Sequence, residues 1–279
     1  MLRRIAFINE KGGSGKTTLL GNVAAFLALR RGRRVLAIDL DPQGQLGKAL
    51  GVDVRSVRRS ALDLLLDGLL GSPEQESPGP DAKPARGLPI VATRIEGLDL
   101  VPANKSLGLA PGWRAGAGDP TESLARTLRR SREVARYDFV LFDAPPSFGP
   151  LTLNVLRACD EVVVPVPLTY LALDGCAELM RTLASVRTRY GHAGLRVTMV
   201  IPTFYRRTRL AHETLERLKT QFPKEIAHTV VGFHVKLDEA QSRGLSIFEY
   251  APADRGARAI AALAEELLAR AEPEALEPA

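Results

Sequence analysis

Residues 4–18 read Arg4-Ile5-Ala6-Phe7-Ile8-Asn9-Glu10-Lys11-Gly12-Gly13-Ser14-Gly15-Lys16-Thr17-Thr18. An apolar run of strand length ends at Asn9, a glycine-rich turn follows, and a helical pattern opens at Lys16. This is the context in which a chain wraps phosphate. Glycines let backbone N–H groups converge on phosphate oxygens with no Cβ in the way. The helix N-terminus adds partial positive charge. Lys16 is placed to reach the β- and γ-phosphates of a nucleotide, Thr17 to ligate Mg²⁺ and Thr18 to donate to the α-phosphate. The pattern G-x-x-x-x-G-K-[ST] is not met, because Glu10 stands in place of its first glycine. The segment Lys11–Thr18 is the variant K-G-G-x-G-K-[ST]-[ST]. A plain glycine turn before a helix explains Gly13 and Gly15, but not two lysines at this spacing beside paired threonines.

Outward from this loop, apolar runs of strand length alternate with longer helical patterns. Strands are expected at Arg4–Asn9, Arg34–Asp39, Leu98–Pro102, Phe139–Asp143, Glu161–Val166 and Val197–Pro202. Helices are expected at Lys16–Arg31, Pro120–Arg136, Thr152–Arg157, Leu173–Tyr190, Leu210–Gln221 and Arg255–Arg270. Most of the strands are continuous Val/Ile/Leu/Phe runs, as in strands buried on both sides. The fold class is therefore α/β, a doubly wound, mainly parallel sheet with helices on both faces. One domain is expected over 1–271, interrupted by surface loops at 72–89 and 111–119. The first holds Pro73, Pro78, Pro80, Pro84 and Pro89; the second is Gly-rich. Residues 272–279 read as a flexible acidic tail.

Three acids close strands. Val35-Leu36-Ala37-Ile38 runs into Asp39-Leu40-Asp41-Pro42-Gln43, and Phe139-Val140-Leu141-Phe142 into Asp143-Ala144-Pro145-Pro146-Ser147. In doubly wound sheets ligands sit at the carboxyl ends of strands. Period-2 alternation puts Asp39 and Asp41 on one side while extension lasts. Asp41, further out, suits orientation of an attacking water. Asp143, after four buried apolar residues, has the Walker B arrangement that holds Mg²⁺. Metal-site candidates are thus Thr17, Asp39 and Asp143. Pro202 and Thr203, at a strand end, are candidates for the adenine.

The chain has 279 residues and a net charge of +6, a modest lean towards an anionic partner. Cys159 and Cys176 form no C-x-x-C pair and no metal spacing, which suits a reduced cytoplasmic protein. The apolar stretch Leu19–Leu29 contains Asn22 and falls short of the roughly 20 residues that span a bilayer. The four histidines make no ligand cluster.

Taken together these segments resemble the ParA/MinD family of deviant Walker ATPases, and within it the short, Soj-like ParA branch. The likeness runs from Asn9–Thr18 through Asp39-Leu40-Asp41-Pro42-Gln43-Gly44, Asp143–Ser147, Leu151-Thr152-Leu153-Asn154 and Val162-Val163-Val164-Pro165-Val166. It continues to Leu237-Asp238-Glu239-Ala240, with Ser242 and Gly244, and to Gly256-Ala257. It implies an ATPase of weak intrinsic rate, acting as an ATP-state homodimer that binds non-specific double-stranded DNA and is stimulated by a ParB-like partner. Lys11 would be the signature lysine that reaches the partner's phosphates, with Gly12 and Gly13 leaving room for the facing backbone. Asp41 would position water. The resemblance also points to DNA contacts at Arg207 and Lys236. Arg206 and Arg209 flank the first in Tyr205-Arg206-Arg207-Thr208-Arg209. Contacts of this kind are salt-sensitive and sequence-tolerant.

The chain departs from the branch at Ser14, where valine is usual, and at Phe233-His234, where Arg-Asn is frequent. The Pro-rich stretch 72–89 is atypical. A MinD-like membrane switch needs a basic amphipathic C-terminal helix, whereas this chain ends in acidic sequence. The paired cysteines of the redox and metal-binding relatives lack a counterpart. A ParA relative that positions another cargo, a carboxysome or a chemoreceptor cluster, would carry the same machinery.

Overall fold

The computed structural model describes residues 2–70, 87–112, 119–169 and 172–270. Most of the Pro-rich stretch 72–89 and of the Gly-rich stretch 111–119, and all of the tail 272–279, lie outside the described residues. Eight strands are described: β1 (Arg3–Phe7), β2 (Val35–Asp39), β3 (Val91–Ala92), β4 (Leu98–Val101), β5 (Phe139–Asp143), β6 (Glu161–Pro167), β7 (Arg196–Tyr205) and β8 (Val231–Gly232). The helices are α1 (Lys16–Arg31), α2 (Gln45–Ala49), α3 (Ala61–Leu70), α4 (Ser123–Arg130), α5 (Pro150–Ala158), α6 (Ala172–Arg189), α7 (Arg209–Gln221), α8 (Val235–Ser242), α9 (Ile247–Tyr250) and α10 (Arg255–Ala269).

The strands form one sheet in the order β3-β4-β2-β5-β1-β6-β7-β8, parallel throughout except for the short edge strand β3. Alternation along β1 shows how both faces are filled. Ile5 and Phe7 join the core beneath α1 and α10, with Leu20, Leu27, Ile260 and Leu263. Ala6 and Ile8 join the opposite core, with Leu64, Leu65, Leu124 and Val155 from α3, α4 and α5. Helices therefore cover both faces, as the unbroken apolar strands require. From β1 the chain crosses through α1 to β2, beyond β5. From β5 it returns through α5 to β6, on the other flank of β1. The two crossovers use opposite faces, so a crevice opens at the carboxyl ends of β1 and β5.

Two local features depart from expectation. The helix expected over Pro120–Arg136 is broken: α4 stops at Arg130 because Ser131 turns extended, φ −81° and ψ 119°. Residues 134–136 form only a separate tight turn. The sequence pattern also left α2, α3, α8 and α9 unread, along with the two-residue strands β3 and β8.

Two close approaches tie elements together. Gly68 of α3 lies against the Ser123 carbonyl of α4, where any Cβ would overlap it. Gly51, just past α2, meets Gly244, just past α8. A Cβ on Gly244 would lie 2.7 Å from the Gly51 Cα, and one on Gly51 would lie 2.8 Å from the Gly244 oxygen. Both glycines have positive φ, 72° and 62°, a region closed to most side chains. Arg94 bonds the Gly244 carbonyl and pairs with Glu249 of α9 at 2.8 Å.

Candidate nucleotide site

The loop after β1 is held from both sides. Asn9 donates to the Pro165 oxygen of β6 at 2.6 Å and accepts from the Lys11 amide at 2.8 Å. Thr203 of β7 donates to the Ser14 oxygen at 3.2 Å. Gly13 and Gly15 take positive φ, 71° and 90°, which turns the chain around a concavity. A Cβ added at Gly12 or Gly13 would meet nothing within 4 Å, so this side of the loop is open to an approaching group. α1 begins after Gly15 with no side-chain cap and no acid in its first turn. Its first N–H groups are left for an anion. Lys16 is buried, with Nζ on the Asn9 oxygen at 2.9 Å, so its cation lies across the loop. Burial lowers its pKa, and the nearby Asp143 and Asp41 act in the opposite direction. The Lys11 ammonium reaches Thr169 Oγ1, just past β6, at 2.9 Å.

The carboxylates act on one another but differ in their surroundings. Asp39 and Asp143 end β2 and β5 directly opposite each other in the parallel register. Both are fully buried. Thr17 Oγ1 donates to Asp143 Oδ2 at 2.7 Å, while Asp143 Oδ1 is buried with no hydrogen-bond partner. Burial pushes the Asp143 carboxyl up to about 7, against the Thr17 hydrogen bond and the Lys16 cation. Asp39 is raised well above its ordinary range, by burial first and by Asp143 second. Its two oxygens accept from the Asp41 and Leu46 amides, each at 3.1 Å. Backbone pairing continues one residue past Asp39, with the Leu40 amide on the Asp143 oxygen at 3.0 Å. Asp41 follows in the turn, half-buried, with Oδ1 accepting from the Gln43 amide at 2.9 Å, and its charge acts on Lys16, Asp39 and Asp143.

An unpartnered buried carboxylate oxygen beside a threonine hydroxyl suits an octahedral cation that keeps several waters. Thr17 and Asp143 fit Mg²⁺ on that basis. Asp39, whose two oxygens each accept one amide, lies opposite Asp143 and frames the turn that carries Asp41.

Thr18, the expected α-phosphate donor, gives its proton to Gln241 Oε1 of α8 at 2.7 Å. A narrow pocket of about 50 Å³ opens beside Thr18 and Gly15, lined by Thr203, Phe204, Phe233 and His234 among others. The rings of Phe204 and Phe233 stand 6.4 Å apart. Phe204 holds φ 55°, the one non-glycine positive φ among the described residues, and such strain gathers at ligand sites. Thr203 lines this pocket. Pro202 does not: it is buried within β7, opposite Val166 of β6. Phe204, Phe233 and His234 come from segments with no shared periodicity, so only the tertiary fold unites them.

The four basic residues expected to meet DNA differ in their surroundings. Arg209 pairs with Glu213 at 2.7 Å and Lys236 with Glu239 at 2.7 Å. The Arg206 guanidinium lies 5.4 Å from the Phe233 ring centroid. Arg207 is exposed, between β7 and the Thr208 cap of α7.

Comparison with known proteins agrees with this geometry. Residues 2–195 match the family described as AAA domain. The chain is 41% identical over 270 residues to the chromosome-partitioning ATPase Soj of Thermus thermophilus, covering 96% of each. It is 36% identical over 272 residues to the sporulation initiation inhibitor protein Soj of Bacillus subtilis, covering 95% of this chain and 98% of that one. Among solved structures, cobyrinic acid a,c-diamide synthase of Mycobacterium smegmatis with an ATP analogue and magnesium superposes with a TM-score of 0.75. That match has 30% identity and covers 96% of this chain and 94% of the other. With the phosphate loop, the paired strand-end acids and 36% and 41% identity to two Soj proteins over nearly the whole length, this chain belongs to the ParA/MinD family of P-loop ATPases.

Proposed function

We propose that this chain is a ParA-type partition ATPase that binds ATP with Mg²⁺, pairs as a dimer around nucleotide and coats DNA without regard to sequence. The observation that carries the reading is the convergence of Lys16, Thr17 and the orphaned Asp143 oxygen under an open glycine loop. The loop amides and the start of α1 hold the phosphates, and Lys16 neutralises the β–γ region. Thr17 and Asp143 hold the cation; when bound, Mg²⁺ neutralises charge on the phosphate oxygens. Asp41, in the turn after β2, orients water for in-line attack. Lys11 extends from the open side of the loop, where a cation can serve a second copy's phosphates. Hydrolysis is slow in the lone protein and is accelerated by a ParB-like partner, so the dimer acts as a timed switch. The DNA face comprises Arg206, Arg207, Arg209 and Lys236, and it places the ATP-bound protein on the nucleoid.

A mobility shift on unrelated duplex DNA with ATP, ADP or no nucleotide tests this reading. Retention is expected with ATP and Mg²⁺ alone. Arg207→Glu is expected to lose it while nucleotide affinity stays unchanged. Equal retention in all three conditions contradicts the nucleotide-dependent dimer, and full retention by Arg207→Glu contradicts the assigned face.

A further inference from the structure

Thr18 and Asn22 lie one turn apart on α1, and both reach the α8–α9 unit. Thr18 Oγ1 donates to Gln241 of α8 at 2.7 Å. Asn22 Oδ1 accepts from the Ile247 amide at the start of α9 at 2.7 Å, while its amide group donates to the Thr18 oxygen at 2.8 Å. The unit is tied within itself: Tyr250 of α9 donates to Glu239 of α8 at 2.7 Å, and Lys236 and Arg243 both lie against its ring. The Asn22–Ile247 bond is buried. Gln241 instead borders an open groove between α2 and α8, beside Gln45, Lys48 and Ser242.

A hydroxyl carries one proton. The phosphate-loop reading assigns that of Thr18 to an α-phosphate, yet here a neutral amide oxygen holds it. A hydrogen bond to a charged acceptor is roughly twice as strong as one to a neutral acceptor, so phosphate wins the competition. We propose that Gln241 is a positioning residue that latches α8 to Thr18, and that α-phosphate binding at Thr18 releases it while Asn22 remains the pivot. The helix that carries Lys236 is thereby linked to nucleotide occupancy. This rests on the reading of residues 11–18 as a nucleotide site. The latch reads the α-phosphate, so ADP and ATP work it alike and no second copy of the chain is needed. That separates it from any γ-phosphate-dependent pairing.

The test is hydrogen exchange over residues 237–243 of the full chain, with and without saturating ADP and Mg²⁺, beside a titration with a fluorescent ADP analogue. Exchange is expected to speed up about tenfold with ADP, the scale set by losing one hydrogen bond. In Gln241→Leu, exchange is expected to be fast from the outset and indifferent to ADP. ADP should bind that variant several-fold tighter, because no bond has to be given up. A residue that merely supported the loop would weaken ADP binding when removed. ADP that binds the unaltered chain without changing α8 exchange overturns the latch and leaves the phosphate site standing. Unchanged or weaker ADP affinity in Gln241→Leu also overturns it. Failure of the unaltered chain to bind ADP overturns the nucleotide site and the latch together.

Discussion

Asp39 and Asp143 face each other across adjacent parallel strands, both fully buried, and only Asp143 keeps an oxygen without a partner. Two acids so placed resist ionising together. The folded Asp143 carboxyl sits at about 7, against an ordinary value of 3.8. Between these values the folded chain holds a proton that the unfolded chain has lost. Stability is therefore greatest at the acid end of this window and declines as pH rises through about 7. In EDTA, melting temperature should fall from pH 5.5 to pH 8. Asp143→Asn should flatten that slope and raise stability at pH 8 by about 1 kcal/mol, or roughly 2–4 °C. A steeper slope in the variant would count against the buried pair.

Ser14 carries a hydroxyl that is buried and has no hydrogen-bond partner in the protein. Leaving such a group unpaired costs about 1–3 kcal/mol. Ser14→Ala removes the oxygen and adds no volume. Chemical denaturation should show a gain of about 1 kcal/mol, with nucleotide affinity unchanged because the backbone of the loop is untouched.

Lys16 and Asp41 occupy different parts of the site, and their loss should be felt differently. Lys16→Ala removes the cation lying across the loop, and nucleotide binding should fall below detection in a filter or fluorescence assay. Asp41→Ala removes the bond to the Gln43 amide and a charge near Lys16, but leaves the phosphate loop in place. It should keep nucleotide affinity within about twofold and lower turnover at least roughly a hundredfold, the scale of a positioned acid–base group. Normal hydrolysis by Asp41→Ala would remove that residue from the mechanism.

Gly68 permits the contact between α3 and α4. Gly68→Ala drives a methyl into the Ser123 carbonyl, so the helices must part. A loss of about 3 kcal/mol is expected, read as an earlier denaturation midpoint with unchanged slope. Wild-type stability in this variant would mean that the two helices separate without cost.

The sequence announced the parts of the molecule in which local chemistry and global position agree. Phe139–Asp143 reads as a buried strand closed by an acid because its burial on two faces leaves four apolar residues in a row. The strand, glycine loop and helix around Lys16 were legible for the same reason. α3 was not, because Ala61-Leu62-Asp63-Leu64-Leu65-Leu66 carries too many leucines to show which face is covered. The short strands β3 and β8 give no period to detect. The turn that holds Asp41 was not legible, because it is built by carboxylates that bond the amide two residues on, Asp39 to Asp41 and Asp41 to Gln43. The narrow pocket beside Thr18 was hidden for another reason. Phe204, Phe233 and His234 lie far from Gly15 in sequence, and only the juxtaposition of β7 and β8 brings them together.

The meeting of Gly51 with Gly244 has a consequence for how this chain can change over generations. Bare backbone touches bare backbone there, so neither position tolerates a side chain unless the other segment retreats. A lineage that replaced one would have to shift the segment at the other in the same stroke, and a chain carrying a single replacement would be strained at both.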